Sequence, residues 1–135
     1  MVSFHREATS NTSYWVDVDP PIVLRIGERN PALDTLLDQH QVAEWAFITA
    51  FNPGSKPISY EQNLALNRKL SQRVYTAGYA MLEGHDHSDC GAWPDEKSFL
   101  VLGIGRDAAR EIGREFDQVG IVFGRRSEAP ELVYC

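Results

Sequence analysis

Positive charge is scarce in this chain of 135 residues. Its 13 lysines and arginines are outnumbered by 19 aspartates and glutamates, which gives a net charge of −6 at neutral pH. Such a chain lacks the positive field that non-specific binding to nucleic acids or anionic membranes needs, so we expect neither as a partner. A small anionic ligand is compatible with this composition, because one arginine or a helix N-terminus can create a locally positive site.

Cysteines and long apolar segments are scarce as well. The two cysteines, Cys90 and Cys135, lie far apart, and no disulfide framework is visible. Two free thiols in a reducing compartment are therefore favoured over one bridge between them. No apolar run approaches the length of a membrane span, and the first residues contain no apolar core of a signal peptide. These features predict a cytoplasmic protein.

No complete catalytic motif is present. The chain contains no phosphate-binding loop, no nucleophile elbow and no full dinucleotide-binding fingerprint. Gly103 and Gly105 precede a predicted helix, but Ala108 occupies the position of the third glycine of that fingerprint. Whether the protein is an enzyme, which cofactor it uses and how it oligomerises do not follow from the sequence.

Apolar strands and amphipathic helices are interleaved along the chain. Their order, β-β-α-β-α-β-β-α-β-β, predicts an α/β (α+β) fold with a single mixed β-sheet and about three packed helices. Residues 1–12 are polar and are predicted to form a flexible N-terminal arm, and residues 13–135 a single globular domain. Residues 79–82 predict a short strand, which a polar loop over residues 83–91 follows.

One stretch combines a buried strand, a polar turn and a well-capped helix. Residues 45–51 contain one polar residue, Thr49, which suits a strand covered on both faces. The turn residues that follow, 52–54, end this strand, and Ser59 with Gln62 forms a capping box for the next helix. In open α/β folds, ligands usually bind where a strand end, a loop and a helix N-terminus meet.

This junction supplies most of the candidate ligand-binding residues. If the strand predicted over residues 98–104 is an antiparallel neighbour of the first, Glu96 lies beside Asn52 and is placed to act as a catalytic acid or base. The helix N-terminus suits a phosphate or carboxylate, so we expect a small polar or anionic ligand, nucleotide-like or phosphorylated. The candidate ligand contacts are Asn52, Ser55, Asn63, Arg68, Ser98 and Gln118. The simpler alternative makes Asn52 and Ser59 turn and cap residues without a ligand.

Two other functions are left open. His85 and His87, with Cys90 nearby, offer ligands for a transition metal and hence for a metal-dependent hydrolase. This alternative is less favoured, because no second ligand pair with zinc-finger spacing and no H-E-x-x-H motif accompany them. The other alternative is a non-catalytic interaction or regulatory module, whose acidic surface would meet a basic protein partner.

Several segments together resemble a known family. They are Asp17-Val-Asp-Pro-Pro21, Leu24-Arg-Ile-Gly27, Ala46-Phe-Ile-Thr-Ala-Phe-Asn-Pro-Gly-Ser55, Glu61 with Asn63, and Trp93-Pro94 through Ser98-Phe-Leu-Val-Leu-Gly103. In this combination the chain resembles a bacterial domain of unknown function, number 3293, over roughly residues 14–134. The resemblance implies a small, single-domain, cytosolic bacterial protein and implies no established activity.

Overall fold

The computed structural model describes residues 11–135 of the chain. The predicted arm over residues 1–12 therefore lies almost wholly outside the described residues, and its last residue, Thr12, begins the first strand. The elements are β1 (Thr12–Val16), β2 (Ile22–Leu24), α1 (Pro31–Gln39), β3 (Glu44–Ile48), α2 (Tyr60–Thr76), β4 (Ala80–Ser88), β5 (Glu96–Leu102), α3 (Arg106–Glu115), β6 (Gly120–Arg125) and β7 (Glu131–Tyr134). This confirms the predicted α+β class and the predicted order of strands and helices.

All seven strands join one sheet in the order β2-β1-β4-β5-β3-β6-β7. We expected a mixed sheet, but every pairing between these strands is antiparallel. The reason lies in the β4–β5 hairpin. β3 and β4 run in the same direction on either side of α2, yet β5 folds back and occupies the position between them. No parallel pair therefore forms among the described strands.

Helices cover both faces of the sheet. α2 and α3 pack on one face, here called the α2 face, and α1 packs on the other, the α1 face. Because side chains alternate along a strand, β3 directs Ala46 and Ile48 to the α2 face and Trp45 and Phe47 to the α1 face. All four are buried, as predicted for a strand that is covered on both sides. No helix in the part of the chain that the structure describes is long and apolar enough to cross a lipid bilayer.

Side chains cap the starts of α1 and α2, and at α2 the predicted capping box is present. Pro31 is the first residue of α1, and the Asn30 side chain before it accepts a hydrogen bond from the Leu33 N–H at 3.1 Å. At α2, the Ser59 hydroxyl accepts from the Gln62 N–H, and the Gln62 side chain accepts from the Ser59 N–H, both at 3.1 Å. This reciprocal pair fixes where the chain leaves the β3–α2 loop.

β4 is longer than the sequence predicts. It continues through residues 83–88, where we expected a polar loop, and pairs with β1 on one side and β5 on the other. Gly84, Asp86 and Ser88 are buried on the α1 face, and the residues between them face the other side. Pairing on both edges overrides the low strand propensity of these polar residues, because β-propensity depends strongly on tertiary context.

Candidate functional site

Asn52 is the centre of the predicted junction. It adopts a left-handed backbone conformation, with φ of 49°, directly before the short 3-10 turn Pro53–Ser55. Its side-chain carbonyl accepts a hydrogen bond from Asn63 Nδ2 at 2.9 Å, and its own Nδ2 donates to Glu96 Oε2 at 2.8 Å. The structure therefore brings together three predicted site residues from the β3–α2 loop, α2 and β5.

Two asparagines of α2 replace a neighbouring strand for the end of β3. The Ala50 N–H donates to Asn67 Oδ1 at 2.9 Å, and the Asn52 N–H donates to Asn63 Oδ1 at 2.8 Å. Four helical residues rise about 6 Å and two strand residues about 6.6 Å, so asparagines four apart match amides two apart. Because these amides bind α2, regular strand pairing ends at Ile48.

Glu96, the hydrogen-bond partner of Asn52, belongs to a buried pair of carboxyl groups. Asp86 of β4 stands opposite Glu96 of β5, and its Oδ1 accepts a hydrogen bond from the Glu96 N–H at 3.2 Å. Burial raises the pKa of both carboxyl groups, and it raises that of Asp86 well above its usual range, where the neighbouring Glu96 charge adds to the effect. The protonated form of Asp86 is therefore favoured, and in that form its carboxyl group can donate to the Glu96 carboxylate, which also accepts from Asn52.

The network, here the side chains of Asn52, Asn63, Asp86 and Glu96, lies beside a cleft rather than lining it. The cleft has a volume of about 700 Å³ and lies on the α2 face, with α2 as one wall and β4 and β5 as the floor. Asn67 ties wall to floor, since its Nδ2 donates to the Lys97 carbonyl of β5 at 3.0 Å. The Glu96 carboxylate faces protein partners, so a catalytic role for Glu96 stays a prediction.

The cleft is lined by charged side chains of both signs. Arg68 of α2 and Lys97 of β5 line it, and neither has an ion-pair partner within residues 11–135. The carboxylates of Asp17, Glu83 and Asp95 line the same cleft. Arg68 was among the residues predicted from the sequence, whereas Lys97 becomes visible only through the register of β5, which places it opposite His85.

His85 is the imidazole of the cleft. Its Nδ1 lies 2.8 Å from Asp17 Oδ1, and its ring stacks on Trp15 with centroids 5.6 Å apart and an interplanar angle of 18°. Its Nε2 lies 4.0 Å from Asp95 Oδ2. His87 points to the same side of β4 but does not line the cleft, and its Nδ1 contacts Asp95 Oδ1 at 2.7 Å.

The predicted metal ligands, His85 and His87, belong to no three-ligand group among the described residues. Among the described residues, no group of three or more histidine, cysteine, aspartate or glutamate side chains is placed to hold a metal ion. His85 and His87 share Asp95 as a neighbour but are each held by a separate carboxylate contact. The metal-dependent alternative therefore gains no support from the geometry.

The other predicted site residues have different surroundings. Ser98 borders the cleft, but its side chain is buried and its hydroxyl donates to the Glu96 carbonyl at 3.2 Å. Gln118 donates through Nε2 to the Phe51 carbonyl at 3.1 Å and lines a separate groove of about 370 Å³. Ser55 lies in the 3-10 turn with φ of 61° and lines neither space. The structure does not bring Ser55 and Gln118 to the cleft.

Comparison with known proteins identifies one family. Residues 48–121, more than half of the chain, match the family described as protein of unknown function (DUF3293). The chain belongs to this family. No curated protein and no solved structure matches it. The part of this DUF3293 chain that matches contains the whole network together with α2, β4 and β5, whereas Asp17 and Trp15 lie outside it.

Proposed function

We propose that this protein binds a small phosphorylated, nucleotide-like ligand in the cleft between α2 and strands β4 and β5. The observation that supports this most is the pair of cations, Arg68 and Lys97, which line one cleft of an acidic protein without an ion-pair partner in residues 11–135. Arginine binds phosphate oxygens in a bidentate way, and lysine supplies a compact point charge.

The remaining lining residues favour a ligand with more than an anionic group. The Glu83 carboxylate is an acceptor for ligand hydroxyl groups, while Leu64 and Phe99 offer apolar surface to a ring. A bare anion would meet repulsion from the acidic side chains of the cleft. A phosphorylated sugar or a nucleotide suits both kinds of lining residue. Its phosphate would lie at Arg68 and Lys97, and its hydroxyl groups would lie near Glu83.

The network supports this site without lining the cleft. It fixes the loop that enters α2, and Asn67 fixes the same helix to β5. Arg68 follows Asn67 directly, so the position of its charge depends on these hydrogen bonds. We therefore place the ligand in the cleft and assign Asn52 and Asn63 to its support.

We expect the protein to act in the cytoplasm. No disulfide joins Cys90 and Cys135, which supports that location, since disulfides are rare in a reducing compartment.

Calorimetric titration with AMP, ribose 5-phosphate and inorganic phosphate tests the proposal. We expect saturable binding of AMP or ribose 5-phosphate that Arg68→Gln and Lys97→Gln each weaken at least about tenfold. A hydrogen bond to a charged group contributes about 1.5–3 kcal/mol, and about 1.4 kcal/mol corresponds to a factor of ten in affinity.

Lys69→Gln is the matched control for this titration. It removes the same charge from the next residue of α2, which is exposed and does not line the cleft. Its affinity should stay within about twofold of that of the wild type, since screened surface charges contribute little. Absence of saturable binding by all three compounds at millimolar concentration, or equal weakening by Lys69→Gln, would contradict the proposal.

A further inference from the structure

The contact between Asp17 and His85 determines which imidazole nitrogen is basic. Asp17 Oδ1 lies 2.8 Å from Nδ1, a distance at which two lone pairs would repel, so Nδ1 carries the hydrogen. The lone pair of the neutral ring is then on Nε2. A carboxylate behind one nitrogen of an imidazole orients the ring and stabilises the positive charge that it acquires when the other nitrogen reacts.

Nε2 is the reactive end of this ring. Its neighbouring carboxylate, Asp95 Oδ2, is 4.0 Å away and thus beyond hydrogen-bond distance. The His85 side chain is 28% exposed, lines the cleft and is held in plane by the stacked Trp15 ring. The ring is therefore oriented by two neighbours, and its nucleophilic nitrogen stays accessible to a molecule in the cleft.

The cations of the cleft are placed to stabilise a phosphoryl group at His85. Lys97 stands directly opposite His85 in the β4–β5 pair, on the same face of the sheet, where Cβ atoms are about 4.5–5.5 Å apart. Arg68 lines the facing wall. Positive groups aimed at the oxygens of a transferring phosphoryl group are the main source of catalysis in such reactions.

We propose that His85 is a phosphoryl acceptor, and this inference rests on the proposed binding of a phosphorylated ligand. The Nε2 lone pair forms a bond to phosphorus while the ester P–O bond breaks, and its electron pair leaves with the ligand oxygen. That oxygen takes a proton from water in the open cleft. Asp17 keeps its contact with Nδ1–H during transfer, and a second water then attacks phosphorus and releases phosphate and free His85.

His87 provides the matched comparison within the same chain. It lies two residues along the same strand, its Nδ1 also contacts a carboxylate, and at 46% exposure it is more accessible than His85. It does not line the cleft with Arg68 and Lys97. Exposure alone therefore favours reaction at His87, whereas the proposed geometry favours His85.

Labelling with phosphoramidate, a small phosphoryl donor, tests the inference on the intact protein. Mass spectrometry should locate the added phosphoryl group on His85 at least about tenfold sooner than on His87, and phosphorus NMR should assign it to Nε2. Asp17→Asn should slow labelling of His85 at least about tenfold without changing that of His87. Labelling of His85 no faster than that of His87, or labelling at Nδ1, would overturn the inference.

The same measurement separates this inference from the proposed function. Saturable AMP binding without preferential labelling of His85 would overturn the phosphoryl-acceptor role alone. Preferential labelling of His85 in a protein that binds neither AMP nor ribose 5-phosphate would support the acceptor role and reject the proposed ligand. His85→Gln should abolish the label at this position while AMP affinity, where it is measured, stays within about tenfold, because Arg68 and Lys97 retain their charges.

Discussion

Replacing Asp86 by asparagine should stabilise the protein at neutral pH and flatten the pH dependence of its stability. Asp86 is only 8% exposed, and its carboxyl group faces Glu96 inside the sheet. An asparagine keeps the shape and the Oδ1 acceptor for the Glu96 N–H, and its amide donates to the Glu96 carboxylate as the protonated acid does. The substitution therefore imitates the protonated form of Asp86 at every pH.

The sign and size of this effect follow from the raised pKa of Asp86. An unfolded aspartate has a pKa of about 3.9, so at higher pH the unfolded chain has released a proton that the folded protein still binds. The stabilisation is complete below that pH and is lost as pH rises toward the folded pKa, by up to about 1.4 kcal/mol per pH unit. The asparagine of Asp86→Asn does not titrate, so this loss of unfolding free energy is absent from the variant. The difference in unfolding free energy between the variant and the wild type therefore grows with pH up to the folded pKa of Asp86 and is constant at higher pH.

Urea unfolding, followed by tryptophan fluorescence in steps from pH 4 to pH 8, measures this difference. The control is Asp107→Asn, which removes a carboxylate that is 97% exposed on α3 and should change the unfolding free energy by less than about 0.5 kcal/mol. Parallel stability curves for Asp86→Asn and wild type, or a less stable Asp86→Asn at pH 7, would refute the raised pKa of Asp86 in the folded protein.

Two further predictions concern packing and the anchoring of α2. Gly84→Ala should destabilise the protein by at least about 2 kcal/mol in thermal unfolding, because a Cβ there would lie 2.3 Å from the Trp15 carbonyl oxygen. Gly105→Ala, where the nearest atom is 3.8 Å away, should cost no more than about 1 kcal/mol, the effect of placing alanine at the N-cap of α3. Asn67→Ala should cost about 1–3 kcal/mol, since it leaves the buried Ala50 N–H without its partner, whereas the Lys97 carbonyl keeps its hydrogen bond from the Thr49 hydroxyl. A loss below about 1 kcal/mol for either variant would show that the backbone relaxes around the change.

The junction could be predicted because its signals are local. Turn residues after an apolar run, and Ser59 with Gln62, specify a strand end and a helix start independently of the rest of the fold. The approach of Asn52 to Glu96 needed one more assumption, that the two buried strands are antiparallel neighbours, and their pairing confirms it. The spacing of Asn63 and Asn67 was a further usable signal, since amides two apart on a strand match side chains four apart on a helix.

The cleft could not be predicted in the same way. Residues 83–88 carry no apolar alternation, and they form a strand only because β1 and β5 pair with both of their edges. Without that strand, neither the approach of His85 to Asp17 nor its position opposite Lys97 follows from the sequence. Register between distant strands is set by the whole sheet, and a shift of one residue would exchange its two faces.

Two arginines of α2 show why the cleft retains unpaired cations. Arg73, near the end of the helix, is bound in a bidentate contact by Glu115 of α3, at 2.8 and 3.0 Å, so its charge has a partner at the surface of the same chain. The wall that carries Arg68 is instead held by neutral amide hydrogen bonds from Asn63 and Asn67. These asparagine amides hold the helix without an ion pair, so Arg68 has no ion-pair partner among residues 11–135. It lines the cleft where we place the phosphate. Asn67→Ala should therefore weaken AMP binding without removing a charge, whereas Arg73→Gln should leave it unchanged.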